Sequence, residues 1–395
     1  MELRYTFRLE PDPGARASLA RAFGCARVVW NDALTVRRAA FAAGLPFPRT
    51  AELSKSLITQ AKRTPQRAWL ADVSSVPLQQ ALRDQDRAWR AFFDSLKRSR
   101  KGAKVGVPTV KSRKDSRQSV RFTSNAGWKI TPAGNLSLPK IGHIPVRWSR
   151  HLPCTPSSVT VIRDGAGRYF ASFVVSSDAK ADAARFPIAA GDQGVDLGLA
   201  HFAVLADGSR SRSPRFLRRA EKKVKKRHRT LSRKQKGSNN REKARVRLAR
   251  AHAGVADARK DFHHQLSTKL VRENQSVTVE TLNVQGLSRG ALSKAVHDAG
   301  WGQFLRMLEY KAKRYGREFT RVAPDFPSSQ LCSACGHRDG PKPLNVRTWT
   351  CPRCGALHDR DWNAGQNLRE EGRRIRAKAA QTAPPTPGPG ALTPA

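Results

Sequence analysis

The sequence predicts a multidomain α+β protein, on three observations. Strand-like alternation occurs in two separate groups; a helical stretch interrupts the first and a long basic helical hairpin the second; and four cysteines at metal-ribbon spacing precede a last helix. At 395 residues the chain has length for two or three domains with substantial cores. Lys plus Arg number 74 against 31 Asp plus Glu, a formal charge of +43. An excess of this size, spread along the whole length, excludes an ordinary metabolic enzyme and points to a polyanionic partner, nucleic acid rather than a membrane surface. No apolar run approaches the roughly 18 residues of a membrane span, and Met1-Glu2-Leu3-Arg4 opens no signal-peptide core, so a soluble, intracellular protein is expected.

Leu3 to Leu9 alternates Tyr5 and Phe7 into a short strand that stops at the breaker Glu10-Pro11-Asp12-Pro13-Gly14. Apolar residues at three- and four-residue intervals follow, Leu19, Phe23, Trp30 and Leu34, then Leu82, Trp89, Phe92 and Leu96, which predicts a helical domain over 15–96. From Lys97 to Arg121 the chain turns basic and rich in Gly and Ser. Here Lys101, Lys104, Lys111, Arg113, Lys114 and Arg121 are candidate phosphate contacts, a solvated loop being the alternative. Ser158–Arg163 and Tyr169–Val175 alternate around Asp164-Gly165-Ala166-Gly167, a hairpin signal. A β module, residues 1–14 and 97–187, is thus split by the helical domain. Cys25 and Cys154 lack partners at metal spacing and read as small packed hydrophobes.

A second strand group opens at Val195-Asp196-Leu197-Gly198-Leu199. Its alternation turns Asp196 to the face opposite Val195, with Gly198 leaving room beside it for a metal or a phosphate. Val277 and Val279 likewise share one face of a later strand and Thr278 and Glu280 the other. Taken alone, either acid is more often a plain surface carboxylate. Between them, over about 214–273, Leu217, Val224 and Leu231, then Leu248, Val255 and Phe262, repeat every seven residues around Lys236-Gly237-Ser238-Asn239-Asn240. This predicts a helical hairpin with a narrow apolar seam, whose outer faces carry the candidate nucleic-acid contacts Lys222, Lys223, Lys226 and Arg233.

Trp301 to Tyr315 reads as a helix and Phe319 to Ala323 as a strand, giving a unit over 188–326. Cys332, Cys335, Cys351 and Cys354 form two Cys-x-x-Cys knuckles with fifteen residues between them, the spacing of a four-thiolate zinc ribbon over 327–357. Two disulfides are the alternative, disfavoured in a reducing compartment. Beyond the ribbon, residues 358–377 predict a helix with Asp361 at its start, where Asp359 or Asp361 could equally be an N-cap; 378–395, rich in Pro, lack a core-forming pattern and are expected to be disordered.

Strand with Asp, antiparallel strands, helices, strand with Glu, helix, strand and a helix starting with Asp is the order of an RNase H-like fold. Carboxylates so placed can hold two Mg²⁺ or Mn²⁺ ions and cleave a phosphodiester. The chain also resembles the TnpB (OrfB) family of transposon-encoded nucleases. Phe23-Gly24-Cys25-Ala26-Arg27, Val76-Pro77-Leu78-Gln79-Gln80, Gly194-Val195-Asp196-Leu197-Gly198-Leu199, Tyr310-Lys311-Ala312, Ser328-Ser329-Gln330-Leu331-Cys332-Ser333-Ala334-Cys335-Gly336 and Asp359-Arg360-Asp361-Trp362-Asn363-Ala364 carry the likeness. The resemblance implies a RuvC-type catalytic triad at Asp196, Glu280 and Asp361, structural zinc on the four cysteines, and a wedge barrel interrupted by a recognition domain. It further implies a guide RNA from the transposon end, a double-stranded DNA target beside a short flanking motif, and a place in the cytoplasm at the prokaryotic nucleoid. A guide-dependent regulator that does not cut, and a strand-transferring transposase, are the alternatives. Thr281 after Glu280 and Gly365 after Ala364 depart from the family pattern. The glycine is expected to loosen the start of the last helix by about 1 kcal/mol.

Overall fold

A computed structural model of the chain describes residues 1–100, 102–343 and 345–382. The candidate contact Lys101 and residues 383–395 of the C-terminal stretch lie outside the described residues. The chain forms two compact units, one of Met1–Ser177 with Arg245–Arg250, the other of the remaining described residues. They divide upstream of residue 187, where the sequence ends the β module.

In the first unit, strand β1 (Glu2–Leu9) turns Leu3, Tyr5, Phe7 and Leu9 inward. The presumed breaker after it is a helix start: the Asp12 side chain accepts from the Ala15 N–H at 2.7 Å and Pro13, which has no N–H to lose, opens α1 (Pro13–Ala42). Helix α2 (Ser75–Leu96) packs on α1 through Leu78, Leu82 and Trp89. The chain then returns to β2 (Gln118–Thr123), β3 (Val146–Arg147), β4 (Ser158–Arg163) and β5 (Tyr169–Ser176). These strands form one antiparallel sheet in the order β2-β4-β5-β1-β3, so β1 sits inside a sheet otherwise made after residue 118. A small three-stranded sheet over residues 129–144 adds Leu136, Leu138 and Ile144 to the same core.

Two candidate phosphate contacts are used inside this unit. The Lys111 ammonium lies 3.5 Å from the Trp30 ring centroid, and the Arg121 guanidinium pairs with Asp84. Sequence composition does not distinguish such anchored cations from free ones, whereas Lys104, Arg113 and Lys114 are exposed as expected. Cys25 is buried, but Cys154 is exposed, its thiol 3.0 Å from the Ser176 carbonyl, and is no packed hydrophobe.

The second unit is built on β6 (Gly191–Asp196), β7 (His201–Leu205), β8 (Arg210–Arg212), β9 (Asn274–Glu280) and β10 (Glu318–Val322). Their order is β8-β7-β6-β9-β10, with β7 antiparallel to both its neighbours and β9 parallel to β6 and β10. Between β8 and β9 the hairpin comprises α3 (Phe216–Ser232) and α4 (Asn239–Glu273). Its heptad seam is only half-buried, and no residue of α3 is buried, which leaves Lys222, Lys223, Lys226 and Arg233 in solvent. Helix α5 (Ser293–Ala299) anchors it: the buried Asp298 carboxylate accepts from the Leu217 N–H at 2.8 and 3.0 Å.

One face of the sheet, with Val195, Val277 and Val279, packs on Leu270 and Val271 of α4 and on Phe304 and Leu308 of α6 (Trp301–Arg314). His263 is enclosed here among Phe202, Phe262 and Phe304, with Nε2 2.9 Å from the Ala299 carbonyl oxygen. After β10 come the ribbon strands β11 (Thr348–Thr350) and β12 (Leu357–Asp359), which lead directly into α7 (Arg360–Thr382). Helix α7 continues past Lys378, so the expected disorder does not begin there.

Candidate active site and zinc ribbon

Two strands that each end in an acid finish together, and a helix that carries a third acid begins above them. Val195 and Val279 are register partners in the parallel β6–β9 pair, so Asp196 and Glu280, one residue on, close the two strands side by side. Along the same face of β6 lie Asp192 and Gly194, and along that of β9 Ser276 and Thr278. Helix α7 lies over this face. At its far end Arg373 and Arg376 pair with Asp192 at 2.5 and 2.9 Å. In its middle a Cβ on Gly372 would stand 1.9 Å from Thr278 Oγ1, and one on Gly194 2.0 Å from the Gly365 carbonyl oxygen. Glycines on both elements therefore let helix and sheet touch backbone to backbone. At the near end Asp361, second residue of α7, comes close enough to Asp196 for its charge to act on that carboxyl.

Gly365 accordingly has a use that its helix propensity hides: a Cβ there would lie 3.1–3.2 Å from the backbone of Ala206 and Leu205. Rather than loosening the helix start, the glycine seats it. Trp362 adds a second fastening, donating Nε1–H to the Ala206 carbonyl at 2.9 Å. The N-cap belongs to Asp359, whose Oδ1 accepts from the Trp362 N–H at 2.9 Å, and this leaves Asp361 free of capping. Gly198 also differs from its expected use. Strand β6 ends at Asp196, and a Cβ on Gly198 would be 3.0 Å from the His201 carbonyl, so the residue serves the close turn into β7.

The cluster is electrostatically crowded. Burial and the carboxylates of Glu280 and Asp361 raise the Asp196 carboxyl well above its ordinary value, while Arg360 and Arg347 oppose the rise. Burial pushes Glu280 up to about 7 despite a hydrogen bond from the Leu197 N–H. Half-buried oxygens of like charge with few donors suit hard divalent cations. Among the described residues the four cysteines form the one group of three or more metal-ligating side chains, their ligand atoms within 4.8 Å of one another, and the three carboxylates do not form one. Asp361 is engaged by Arg347, whose Nη1 lies 3.3 and 3.4 Å from its two oxygens.

At the ribbon, Cys332 and Cys354 sulfurs are 3.6 Å apart and those of Cys335 and Cys351 3.8 Å. A disulfide needs about 2.05 Å, whereas four thiolates about 2.3 Å from one tetrahedral ion lie roughly 3.8 Å apart, so the set fits zinc. His358 Nε2 stands 3.0 Å from Cys332 Sγ and its ring packs on Trp349, an outer contact that supports the sulfur. The first knuckle is bonded to α7: Asn363 accepts from the Ser333 N–H at 2.9 Å and donates to the Leu331 carbonyl at 2.7 Å, and Asn367 donates to the Ser328 and Leu331 carbonyls at 2.8 Å. The ribbon and the Asp361 helix thus share one hydrogen-bonded base.

Reading by residue type missed Arg347, Asp192, Asp298, Asn363 and Asn367, because their partners are distant in sequence. Asn363 and Asn367 carried the one local signal, a four-residue spacing that puts both amides on one helical face.

Three family models match: one described as a probable transposase over residues 189–291, a Cas12f1-like TNB domain over 301–368, and a helix-turn-helix domain over 1–45. A Streptomyces pristinaespiralis protein titled "Putative RNA-guided DNA endonuclease" is 43% identical over 92% of this chain and 88% of its own length. InsQ of Escherichia coli strain K12, with the same title, is 28% identical over 94% and 93%. Among solved structures, the cryo-EM structure of the Cas12f1–sgRNA–target DNA complex contains a chain of like fold, with a TM-score of 0.52 and 15% identity over 90% of this chain and 82% of that one. On the extent of these matches, the chain belongs to the TnpB (OrfB) family.

Proposed function

We propose that this protein is an RNA-guided DNA endonuclease of a transposable element, cutting target DNA beside a short flanking motif. The observation that carries the proposal is the placement of Asp196 and Glu280 at the adjoining ends of a parallel strand pair below the helix start that carries Asp361, with Asp196 raised by burial and by the charges of the other two, and Glu280 raised by burial. The sheet order β8-β7-β6-β9-β10 under a C-terminal helix agrees with an RNase H-like, RuvC-type nuclease domain. The relatives' titles, carried over to this chain, supply guide RNA and DNA target.

In this reading the three carboxylates hold a pair of Mg²⁺ or Mn²⁺ ions, which when bound supply activation of the attacking water and stabilisation of the leaving 3′ oxygen. The chain's own part is placement. Strand ends fix Asp196 and Glu280, and the flush packing of α7 at Gly194 and Gly372 fixes the height of Asp361. The Leu197 N–H orients Glu280. Cys332, Cys335, Cys351 and Cys354 would hold zinc, which would fix the first knuckle against Asn363 and so steady the helix start. Residues 1–14 and 97–187 act as the wedge barrel, 15–96 as the recognition domain, and 188–326 with 358–377 as the nuclease domain. Lys104, Arg113, Lys114, Lys222, Lys223, Lys226 and Arg233, all exposed, take phosphates of guide or target.

The test is cleavage of a double-stranded target by protein purified with its RNA, in Mg²⁺. Alanine at Asp196, Glu280 or Asp361 is expected to lower cleavage on the order of a thousandfold or more, with RNA and DNA binding retained. Full cleavage by Asp196→Ala would refute the catalytic assignment. Joined rather than broken ends would indicate strand transfer, and binding without cutting by the wild type would indicate a regulator.

A further inference from the structure

Two guanidinium groups oppose the charge of the carboxylate cluster, and they differ in what else they hold. Arg360 donates Nη1 to the Pro343 carbonyl at 2.9 Å, so its side chain is tied to the ribbon. Arg347 reaches Asp361 instead, with its backbone fixed by the Arg360 N–H, which donates to the Arg347 carbonyl at 2.8 Å. One nitrogen spans both Asp361 oxygens, at 3.3 and 3.4 Å. These distances exceed the 2.7–2.9 Å of a strong charge-assisted bond and lack the two-pronged fork of a locked arginine–carboxylate pair. The Arg347 side chain is 54% exposed and that of Asp361 23%, so the guanidinium borders solvent.

A guanidinium lying across both oxygens of a carboxylate covers the edge that a metal ion would take. We propose that Arg347 is a resident counter-cation of the carboxylate cluster: it neutralises Asp361 while no divalent ion is bound, and must release it for ions to bind. Arg347 is then a positioning residue that acts through Asp361 and sets the divalent-ion affinity of the site. Because it stands on the ribbon, beside β11, the ribbon contributes charge to the site as well as support. The inference rests on the reading of Asp196, Glu280 and Asp361 as the ligand set.

The test is Mn²⁺ binding to the full-length, zinc-loaded protein without nucleic acid, read by water-proton relaxation. Arg347→Gln is expected to bind Mn²⁺ about five-fold more tightly, the effect of removing one competing, partly exposed charge. Arg347→Lys, which keeps the cation, should stay within about two-fold of wild type. Asp361→Asn should weaken binding, and combining it with Arg347→Gln should abolish the gain. Unchanged or weaker binding by Arg347→Gln, with Asp361→Asn still weakened, would overturn the proposal and leave the ligand reading standing. If Asp361→Asn and Asp196→Asn both bind Mn²⁺ like wild type, the ligand reading fails and the proposal falls with it.

Discussion

The carbonyl oxygen of Gly365 occupies the space that a Cβ on Gly194 would need, 2.0 Å from its position. The backbone of a helix and that of a central strand are therefore in direct contact two residues from Asp196 and four from Asp361.

This contact predicts that Gly194→Ala is severely destabilising. The clash is with backbone on both sides, so α7 must lift, at a cost of about 3 kcal/mol. Gly365→Ala should cost less, since its contacts of 3.1–3.2 Å need only a small shift and helix propensity returns about 1 kcal/mol. Urea denaturation midpoints measure both. Equal midpoints for Gly194→Ala and wild type would show that the helix is not seated there.

A second prediction concerns the shared base of ribbon and helix. Asn363→Ala deletes the acceptor for the Ser333 N–H, leaving that half-buried donor unpaired, and removes one of the two amides on the Leu331 carbonyl, at a cost of about 1 kcal/mol. Zinc should pass faster to a chelator and Mg²⁺-dependent cleavage should fall, while guide RNA remains bound. Wild-type zinc release together with undiminished cleavage would break the proposed link between knuckle and active site.

A third prediction follows from His263, fully buried among phenylalanines. Burial lowers its pKa from 6.5 to about 4. Between those values the unfolded chain takes up a proton that the folded protein refuses, so stability falls as pH drops through this window. The difference amounts to about 3 kcal/mol when complete. His263→Gln should flatten the decline in unfolding free energy between pH 6.5 and 4. The same slope in the variant would place the acid sensitivity elsewhere.

The features legible in the sequence were those that chemistry confines to a few adjacent residues. Zinc demands paired thiols at short spacing, and the four cysteines converge as that spacing implies. Alternation exposed the polar faces of Asp196 and Glu280, since a strand repeats every two residues. Contacts that span the chain left little local trace. Asp192 meets Arg376 and Asp298 meets Leu217 only after folding, and nothing near Gly365 announces a strand 171 positions earlier. The basic run from Lys97 shows the limit of composition: it held Lys104 in solvent and Arg121 in an ion pair with Asp84, and charge alone separates neither.

The place of β1 has a consequence for synthesis. Glu2 pairs with Ser176 and Leu9 with Tyr169, so the first strand emerges from the ribosome long before its main partner. At about 5–20 residues per second the wait is roughly ten to thirty seconds. During that interval α1 and α2 can pack on each other from local sequence, while Glu2, Arg4 and Arg8, outward on alternate positions, keep the nascent strand from sticking to other chains.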